Sequence, residues 1–137
     1  MRNSFSHKIK VYYEDTDAGG IVYYANYLKF LERARSEALS EVGLSNLKIK
    51  KNYGALIVVK SCNIDFNKSA HLEDQLEINS FVTSFSKTSF TMSQLIYRNQ
   101  DIIVKSKVHL VFVNEKSKPT KIPENIIKSL KPYLFVN

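Results

Sequence analysis

The chain has 137 residues, of which 44% are hydrophobic, and its formal net charge is +7 at pH 7. This length suits one compact domain that buries roughly two-thirds of its unfolded surface, so we expect a single domain over residues 1–137. No stretch approaches the ~20 apolar residues of a membrane span, and the polar start MRNSFSHKIK lacks the apolar region of a secretory signal. We therefore expect a cytoplasmic protein.

Cysteine and histidine are too sparse to indicate a metal site or a disulfide. Cys62 is the single cysteine, and His7, His71 and His109 are scattered along the chain. Because these spacings match no metal-ligand motif, we expect no metal.

Basic residues are concentrated in the later part of the chain. Residues 1–47 hold six basic and six acidic residues, and residues 48–137 hold the other fourteen basic and seven acidic residues. A basic balance favours an anionic partner, although dispersed lysines are equally typical of a solvated surface. Because no aromatic-basic signature such as the RRM motif occurs, we expect no nucleic-acid partner.

The first predicted elements are a strand and a long helix. In HKIKVYY, residues 7–13, apolar and lysine residues alternate, which predicts a half-buried strand that includes Tyr12 and Tyr13. From Asn26 to Val42 the apolar residues recur at steps of three and four, which predicts an amphipathic helix. Asn26 is the candidate N-cap, and Gly43 follows the last turn. The apolar stripe consists of Tyr27, Phe30, Leu31, Ala34, Ala38 and Val42.

After a predicted polar loop, SNLKIKKNYG, four alternating runs are joined by short turn-like segments, which predicts an antiparallel meander. A short helix follows, starting at Pro123 or Glu124 and ended by Pro132. The predicted faces of the four strands are Leu56, Val58, Cys62, Ile64 and Phe66; Leu76, Ile78 and Val82; Thr88, Phe90, Met92, Gln94 and Ile96; and Ile102, Val104, Val108, Leu110 and Phe112.

This element order predicts an α+β fold in which a five-stranded antiparallel sheet wraps around the long helix. One helix covers one face of the sheet. The other face of the sheet must be covered, and its edges must be paired or protected, in another way. For a subunit of this size, homodimerisation is the ordinary solution.

Candidate chemistry lies in EDTDAGGIVYYAN, residues 14–26. The pair Gly19 and Gly20 permits close approach to the main chain, and the following helix start offers unpaired N–H groups to an anion or a developing oxyanion. Asp17 precedes this turn and can serve as nucleophile or base. An Asp before glycines is more often a turn residue, so the motif by itself leaves both interpretations open. We interpret Glu14 and Asp15 as turn or surface acids.

The stretch YYEDTDAGGIVYYANYLKFLERARSE strongly resembles the signature of hotdog-fold acyl-CoA thioesterases, in the YbgC-type branch of the 4-hydroxybenzoyl-CoA thioesterase family. The segments ALIVVKSCNIDF, AHLEDQLEI, SKTSF and KPTKIPENI match that family's strand and turn motifs, so the resemblance covers nearly all of residues 8–130. It implies a dimer in which two sheets continue as one and active sites lie at the subunit interface. We expect further assembly into a tetramer or hexamer.

The resemblance also implies roles for single residues. Asp17 matches the family's catalytic aspartate, for which direct attack on the thioester carbonyl and activation of a water have both been proposed. Tyr24 matches the helix-start position whose backbone N–H polarises the carbonyl oxygen. That position is usually His in the YbgC-type branch and Tyr in the hydroxybenzoyl branch. No imidazole role is expected here, and the acyl substrate stays open.

We assign substrate binding to Gly19 and Gly20 in the turn, to Val59 and Lys60 on the second strand, and to Lys87 in the SFSK turn. The lysines would meet the phosphates of CoA as point charges. An acidic acyl carrier protein would suit the same basic rim.

The predicted activity is hydrolysis of short- to medium-chain or aromatic acyl-CoA thioesters to free acid and CoA, without a metal or organic cofactor. The alternative is a non-catalytic module that binds acyl-CoA or acyl carrier protein, because this fold also serves such roles. Such a module would keep the pocket but would not need Asp17. A hydratase would need His with a nearby acid where this chain has Tyr24.

Overall fold

The computed structural model describes residues 3–135. Five strands form one sheet in the order β1-β3-β4-β5-β2, with every neighbouring pair antiparallel. The elements are β1 (Phe5–Lys10), α1 (Asn26–Glu41), α2 (Asn46–Tyr53), β2 (Leu56–Phe66), β3 (Gln75–Phe85), β4 (Ser89–Arg98), β5 (Asp101–Val113) and α3 (Glu124–Leu130). Helix α1 contacts β1 and β3, and the strand order places β1 and β2 at the two edges of the sheet. The predicted α+β architecture is confirmed.

The core lies between α1 and the sheet, where most of the predicted alternation is confirmed. Five residues of the predicted helix stripe are buried, from Tyr27 to Ala38, while Val42 follows the helix and is half-buried. The predicted inward residues of β3 are all buried, as are Phe90 to Ile96 on β4 and Val104 to Phe112 on β5. The apolar residues form two separate clusters.

A row of polar side chains crosses the middle of this core. Gln94 has 0% of its surface exposed, and it is paired across the sheet with Ser80 on one side and Ser106 on the other. Its Nε2 donates to the Leu31 carbonyl and to Ser80 Oγ, both at 3.0 Å, and its Oε1 accepts from Arg35 Nη1 at 3.0 Å. Burial lowers the pKa of Arg35. Every hydrogen-bonding group of the Gln94 amide is therefore used inside the protein.

The predicted first strand is wrong at its C-terminal end, because β1 ends at Lys10 and neither Tyr12 nor Tyr13 is in a strand. The Asp15 N–H donates to the Tyr12 carbonyl, and the Tyr12 N–H donates to Asp15 Oδ2 at 2.9 Å. These bonds turn the chain into a short 3₁₀ helix, Tyr13–Asp15, and leave both tyrosine rings exposed.

The polar loop predicted over residues 45–54 is also wrong, since it contains α2. Ser45 Oγ accepts from the Lys48 N–H at 3.3 Å, and Gly54 ends the helix with a φ of 62°. Ile49 is the only buried residue between these caps. A helix with one buried side chain has no apolar stripe, so its periodicity gave no indication of it.

On β2 the predicted face is wrong for its first two members, Leu56 and Val58. The register shifts between Val59 and Ser61, so Lys60 is an extra residue in the strand. Because Val59 then pairs with the inward-facing Leu110, it lies on the α1 side of the sheet. The inward row is therefore Ile57, Val59, Cys62, Ile64 and Phe66.

Candidate active site

Asp17 lies in a tight hairpin between β1 and α1. Thr16 and Val22 form an antiparallel bridge, the Asp17 N–H donates to the Ile21 carbonyl at 2.9 Å, and the Gly20 N–H donates to the Asp17 carbonyl at 3.1 Å. Asp17 Oδ1 accepts from the Gly19 N–H at 2.8 Å. Within residues 3–135, no hydrogen bond occupies Asp17 Oδ2, so this exposed oxygen is available to a substrate or a water.

Different constraints favour glycine at the two positions, namely space at Gly19 and backbone conformation at Gly20. A Cβ at Gly19 would stand 3.3 Å from Asp17 Oδ1, so a side chain there would crowd the carboxylate. Gly20 has a φ of 78°, in the left-handed region that other residues rarely adopt. Together they bend the hairpin and hold one oxygen of Asp17 against it.

Asp15 anchors this hairpin to the start of α1. Of the two predicted interpretations, Asp15 is a turn acid and not a surface acid, since it ends the 3₁₀ turn and only 8% of it is exposed. Its carbonyl accepts from the Tyr23 N–H at 3.0 Å and from Asn26 Nδ2 at 2.8 Å. Asn26 therefore donates to the hairpin and does not cap the helix, which corrects the predicted N-cap.

The start of α1 presents two open amide groups. Ala25, at the N-cap position, has helical angles, and no side chain in the described part of the chain accepts a bond there. Tyr23, Tyr24 and Ala25 accept at their carbonyls from Asn26, Tyr27 and Leu28. Among the described residues, the N–H groups of Tyr24 and Ala25 donate to no acceptor. At the positive end of a helix dipole, such groups stabilise a negatively charged oxygen.

Asp17 and the helix start line one groove of about 320 Å³. Tyr23, Tyr24 and Tyr27 form one wall, and residues 66–69 at the end of β2 form the other. The Tyr24 ring, 63% exposed, meets the Phe66 ring edge-on at a centroid distance of 6.3 Å. The structure thus brings together Asp17, Gly19, Gly20 and Tyr24.

The second wall, residues 66–69, was missed by the sequence analysis. NKSAHLED indicated only a turn, and no spacing relates it to the Asp17 motif fifty residues earlier. The hydrogen bond from the Val22 N–H to the Ala70 carbonyl, at 2.9 Å, places it there. The family segments ALIVVKSCNIDF and AHLEDQLEI end at Phe66 and begin at Ala70, so the resemblance gave no indication of residues 67–69 either.

An ion pair holds the far side of this wall. Arg98 Nη1 donates to the Ser69 carbonyl at 2.8 Å and to Asp74 Oδ2 at 2.9 Å. Although partial burial by itself would raise the pKa of Asp74, the hydrogen bonds from the His71 N–H and Arg98 and the positive charge of Arg98 lower it. Asp74 is therefore a carboxylate at neutral pH, and the wall is fixed to β4.

Within one chain, the structure does not bring Val59, Lys60 and Lys87 to this groove. Val59 lines a separate cavity of about 220 Å³ between α1, α2 and β2. Lys60 is exposed at the bulge, six residues along β2 from Phe66, and Lys87 is exposed in the turn between β3 and β4. Their assignment to substrate binding stays a prediction.

Two negative findings apply to the described residues, one on metal binding and one on membrane spans. Among residues 3–135, no group of three or more His, Cys, Asp or Glu side chains is placed to hold a metal ion. No helix in that part of the chain is long and apolar enough to cross a membrane.

Comparison with known proteins places this chain among thioesterases. Residues 11–130 match the family model of the thioesterase-like superfamily. The acyl-CoA thioesterase YbgC of Haemophilus influenzae is 36% identical over 127 residues, covering 92% of this chain and 93% of that protein. YbgC of Helicobacter pylori is 34% identical, covering 85% of this chain and 92% of that protein.

A solved structure agrees with these sequences. The probable thioesterase from Bartonella henselae superposes with a TM-score of 0.85 at 31% identity, covering 88% of this chain and 100% of that chain. The resemblance inferred from the sequence motifs is thereby confirmed. The chain belongs to the hotdog-fold thioesterases of the thioesterase-like superfamily, in the YbgC-type branch.

Proposed function

We propose that this protein hydrolyses acyl-CoA thioesters to the free acid and CoA. The observation that carries the proposal is that Asp17 and Tyr24 line the same groove, where Asp17 would supply a carboxylate and the open N–H of Tyr24 an oxyanion donor. The relatives named acyl-CoA thioesterase support the choice of substrate class.

The start of α1 would bind the carbonyl oxygen of the thioester. As the carbonyl carbon becomes tetrahedral, its oxygen gains negative charge and accepts from the Tyr24 N–H, assisted by the helix dipole. One such donor is typically worth about 3–4 kcal/mol of transition-state stabilisation. CoA thiolate is a good leaving group, so this stabilisation and one carboxylate suffice for the reaction.

Two routes remain open for Asp17. In the first, Oδ2 attacks the carbonyl carbon, the C–S bond breaks with release of CoA thiolate, and water hydrolyses the resulting mixed anhydride. In the second, Asp17 takes a proton from a water that attacks the carbonyl carbon, and the thiolate again leaves. Both routes need a free carboxylate oxygen, which Oδ2 provides, and neither needs a metal or an organic cofactor.

We propose that two copies pair along β2. This strand lies at the sheet edge, and four of its large apolar side chains (Leu56, Val58, Val59 and Phe66) are 41–51% exposed. We propose an antiparallel register in which Val59 and Lys60 of one β2 strand lie beside Phe66 of the other. The two predicted binding residues would then reach the partner's groove. Analytical ultracentrifugation should give the mass of two chains or a multiple of it, and a monomer at micromolar concentration would contradict this pairing.

The predicted phosphate contacts can be tested by substitution. Lys60→Ala and Lys87→Ala should raise KM for acyl-CoA with little change in kcat, because a lost ground-state contact weakens binding without altering the chemistry. Equal KM values for both variants and the wild type would reject the two lysines as phosphate contacts.

The carrier is identified by a separate comparison, in which the wild type is given the same acyl group on CoA and on acyl carrier protein.

The function itself is tested by thiol release from a panel of short-chain, medium-chain and aromatic acyl-CoA thioesters. The wild type should release CoA from at least one of them, and Asp17→Asn serves as the chemically impaired reference. Tight binding of acyl-CoA without any thiol release would favour the non-catalytic binding module.

A further inference from the structure

A buried tyrosine ties the start of α1 to the loop between β2 and β3. Tyr27 is only 3% exposed, and its hydroxyl oxygen accepts from the Ala70 N–H at 3.0 Å. The Ala70 carbonyl in turn accepts from the Val22 N–H at 2.9 Å. Together with the main chain from Val22 to Tyr27, these two bonds close a ring of contacts, and Tyr24 lies within it.

We propose that Tyr27 is a positioning residue for the thioesterase reaction, whose hydroxyl fixes the Tyr24 N–H relative to Asp17. The inference rests on the function proposed above. The hydroxyl is turned to Ala70, so it acts through the main chain and not by contact with the reacting atoms.

The ring reaches Asp17 through Val22. Val22 pairs with Thr16 across the hairpin, and the adjacent Ile21 carbonyl accepts from the Asp17 N–H. Loss of the Ala70 contact would free the hairpin to shift against the first turn of α1. A misplacement of about 1 Å between reacting groups can cost ~10²-fold in rate. The bond from Asn26 to the Asp15 carbonyl is a second tie, which keeps the hairpin attached when Tyr27 is changed.

The surroundings of Tyr27 make this hydroxyl removable without disturbing the ring. The Tyr27 ring packs edge-on against Phe30 at 6.0 Å and at a tilt against Phe66 at 5.5 Å. Burial raises the pKa of the phenol, although the Ala70 N–H opposes this, so the group is neutral at physiological pH and is no base. Tyr27→Phe therefore removes one oxygen and keeps the packing.

Kinetics of Tyr27→Phe test the proposal against a matched control. We expect kcat to fall roughly 10- to 100-fold with KM changed less than about threefold, because the reacting groups are displaced while the groove persists. Ser80→Ala is the control, since it also removes a buried hydroxyl that accepts a 3.0 Å bond, from Gln94. Ser80→Ala should lower the urea midpoint about as much as Tyr27→Phe does, and it should leave kcat unchanged. An unchanged kcat in Tyr27→Phe overturns the proposal.

Coupling to Asp17 separates positioning from general loosening of the fold. If Tyr27 acts by placing the catalytic groups, adding Tyr27→Phe to Asp17→Asn should change the residual rate less than about twofold, since residues that act as a unit are not additive. The same factor of loss in both backgrounds would mean that Tyr27 acts independently of Asp17, and the proposal would be rejected.

Amide hydrogen exchange gives a result that does not depend on turnover. Tyr27→Phe should accelerate exchange at Ala70 and Val22 and shift the Tyr24 amide resonance, whereas Ser80→Ala should leave all three unchanged. Unaltered exchange at Ala70 would show that the hydroxyl does not hold this loop. A wild type that releases no thiol from any acyl-CoA would defeat the proposed function, while the exchange data would still decide whether Tyr27 fixes the site.

Discussion

The Gln94 row and the Asp17 groove are both polar, and they differ in where their hydrogen bonds go. In the core, the Gln94 amide is satisfied by Arg35, Leu31 and Ser80. In the groove, the N–H of Tyr24 and Asp17 Oδ2 have no protein partner within residues 3–135. A polar group that the fold satisfies contributes to stability and specificity of packing, whereas one held open at a surface is available for chemistry. Mutations in the groove should therefore lower activity and leave stability unchanged, whereas mutations in the Gln94 row should lower stability and leave activity unchanged.

The largest effect should come from Asp17→Asn. The amide is nearly isosteric but is neither anionic nor basic, so kcat should fall by at least ~10²-fold while the urea midpoint changes little. Glu14→Gln is the matched control, an exposed acid in the same segment that should keep full activity. Near-normal thiol release by Asp17→Asn would remove Asp17 from the mechanism.

Gln94→Leu should show the reverse behaviour. It deprives the half-buried Arg35 guanidinium, the Leu31 carbonyl and Ser80 of their partner, which should lower the free energy of unfolding by about 2–3 kcal/mol. Thiol release per folded molecule should be unchanged. Urea denaturation measures the loss, with the exposed Gln100→Leu as control. If Gln94→Leu and Gln100→Leu were equally stable, the hydrogen bonds of Gln94 would not stabilise the fold.

Gly20→Ala combines both kinds of effect. Gly20 and Gly43 each have a φ of 78°, and a methyl group added at either position would meet no atom within 4 Å. Either alanine should therefore destabilise the fold by about 1–2 kcal/mol through backbone strain alone. Because only Gly20 belongs to the hairpin of Asp17, only Gly20→Ala should also lower kcat. An equal kcat for both variants would show that the hairpin tolerates the strain.

The smallest effect should come from Tyr24→Phe. The proposed oxyanion donor is the backbone N–H, which this change retains, so kcat should fall by less than about tenfold, or ~1.4 kcal/mol. Tyr23→Phe, an exposed neighbour in the same groove wall, is the control. A loss as deep as that of Asp17→Asn would instead make the phenol a catalytic group.

The sequence predicted the regular parts of the molecule because their physical basis is local. Alternation over Leu76, Ile78 and Val82 reports a half-buried strand wherever it occurs, and the stripe that starts at Tyr27 reports a helix covering the sheet. The pairing of Asp17 with Tyr24 came from the family motif, since an Asp before two glycines is by itself an ordinary turn.

The features that were missed depend on contacts between distant segments. Asp15 is buried and its carbonyl accepts from Asn26, eleven residues later, and no property of an acid beside a turn indicates that. The bulge at Lys60 arises from the way β2 pairs with β5, so the sequence of neither strand by itself indicates it. The second wall of the groove depends on the Val22 and Ala70 bond in the same way.

The two edges of the sheet also differ in how readily another strand can join them. β1 has six residues and carries the exposed Lys8 and Lys10, and a short, lysine-bearing edge discourages further strands. β2 has eleven residues and exposes apolar side chains. A sheet that accepts another strand at one edge only is completed by a single partner, so the proposed pairing along β2 would not extend into an open-ended fibre.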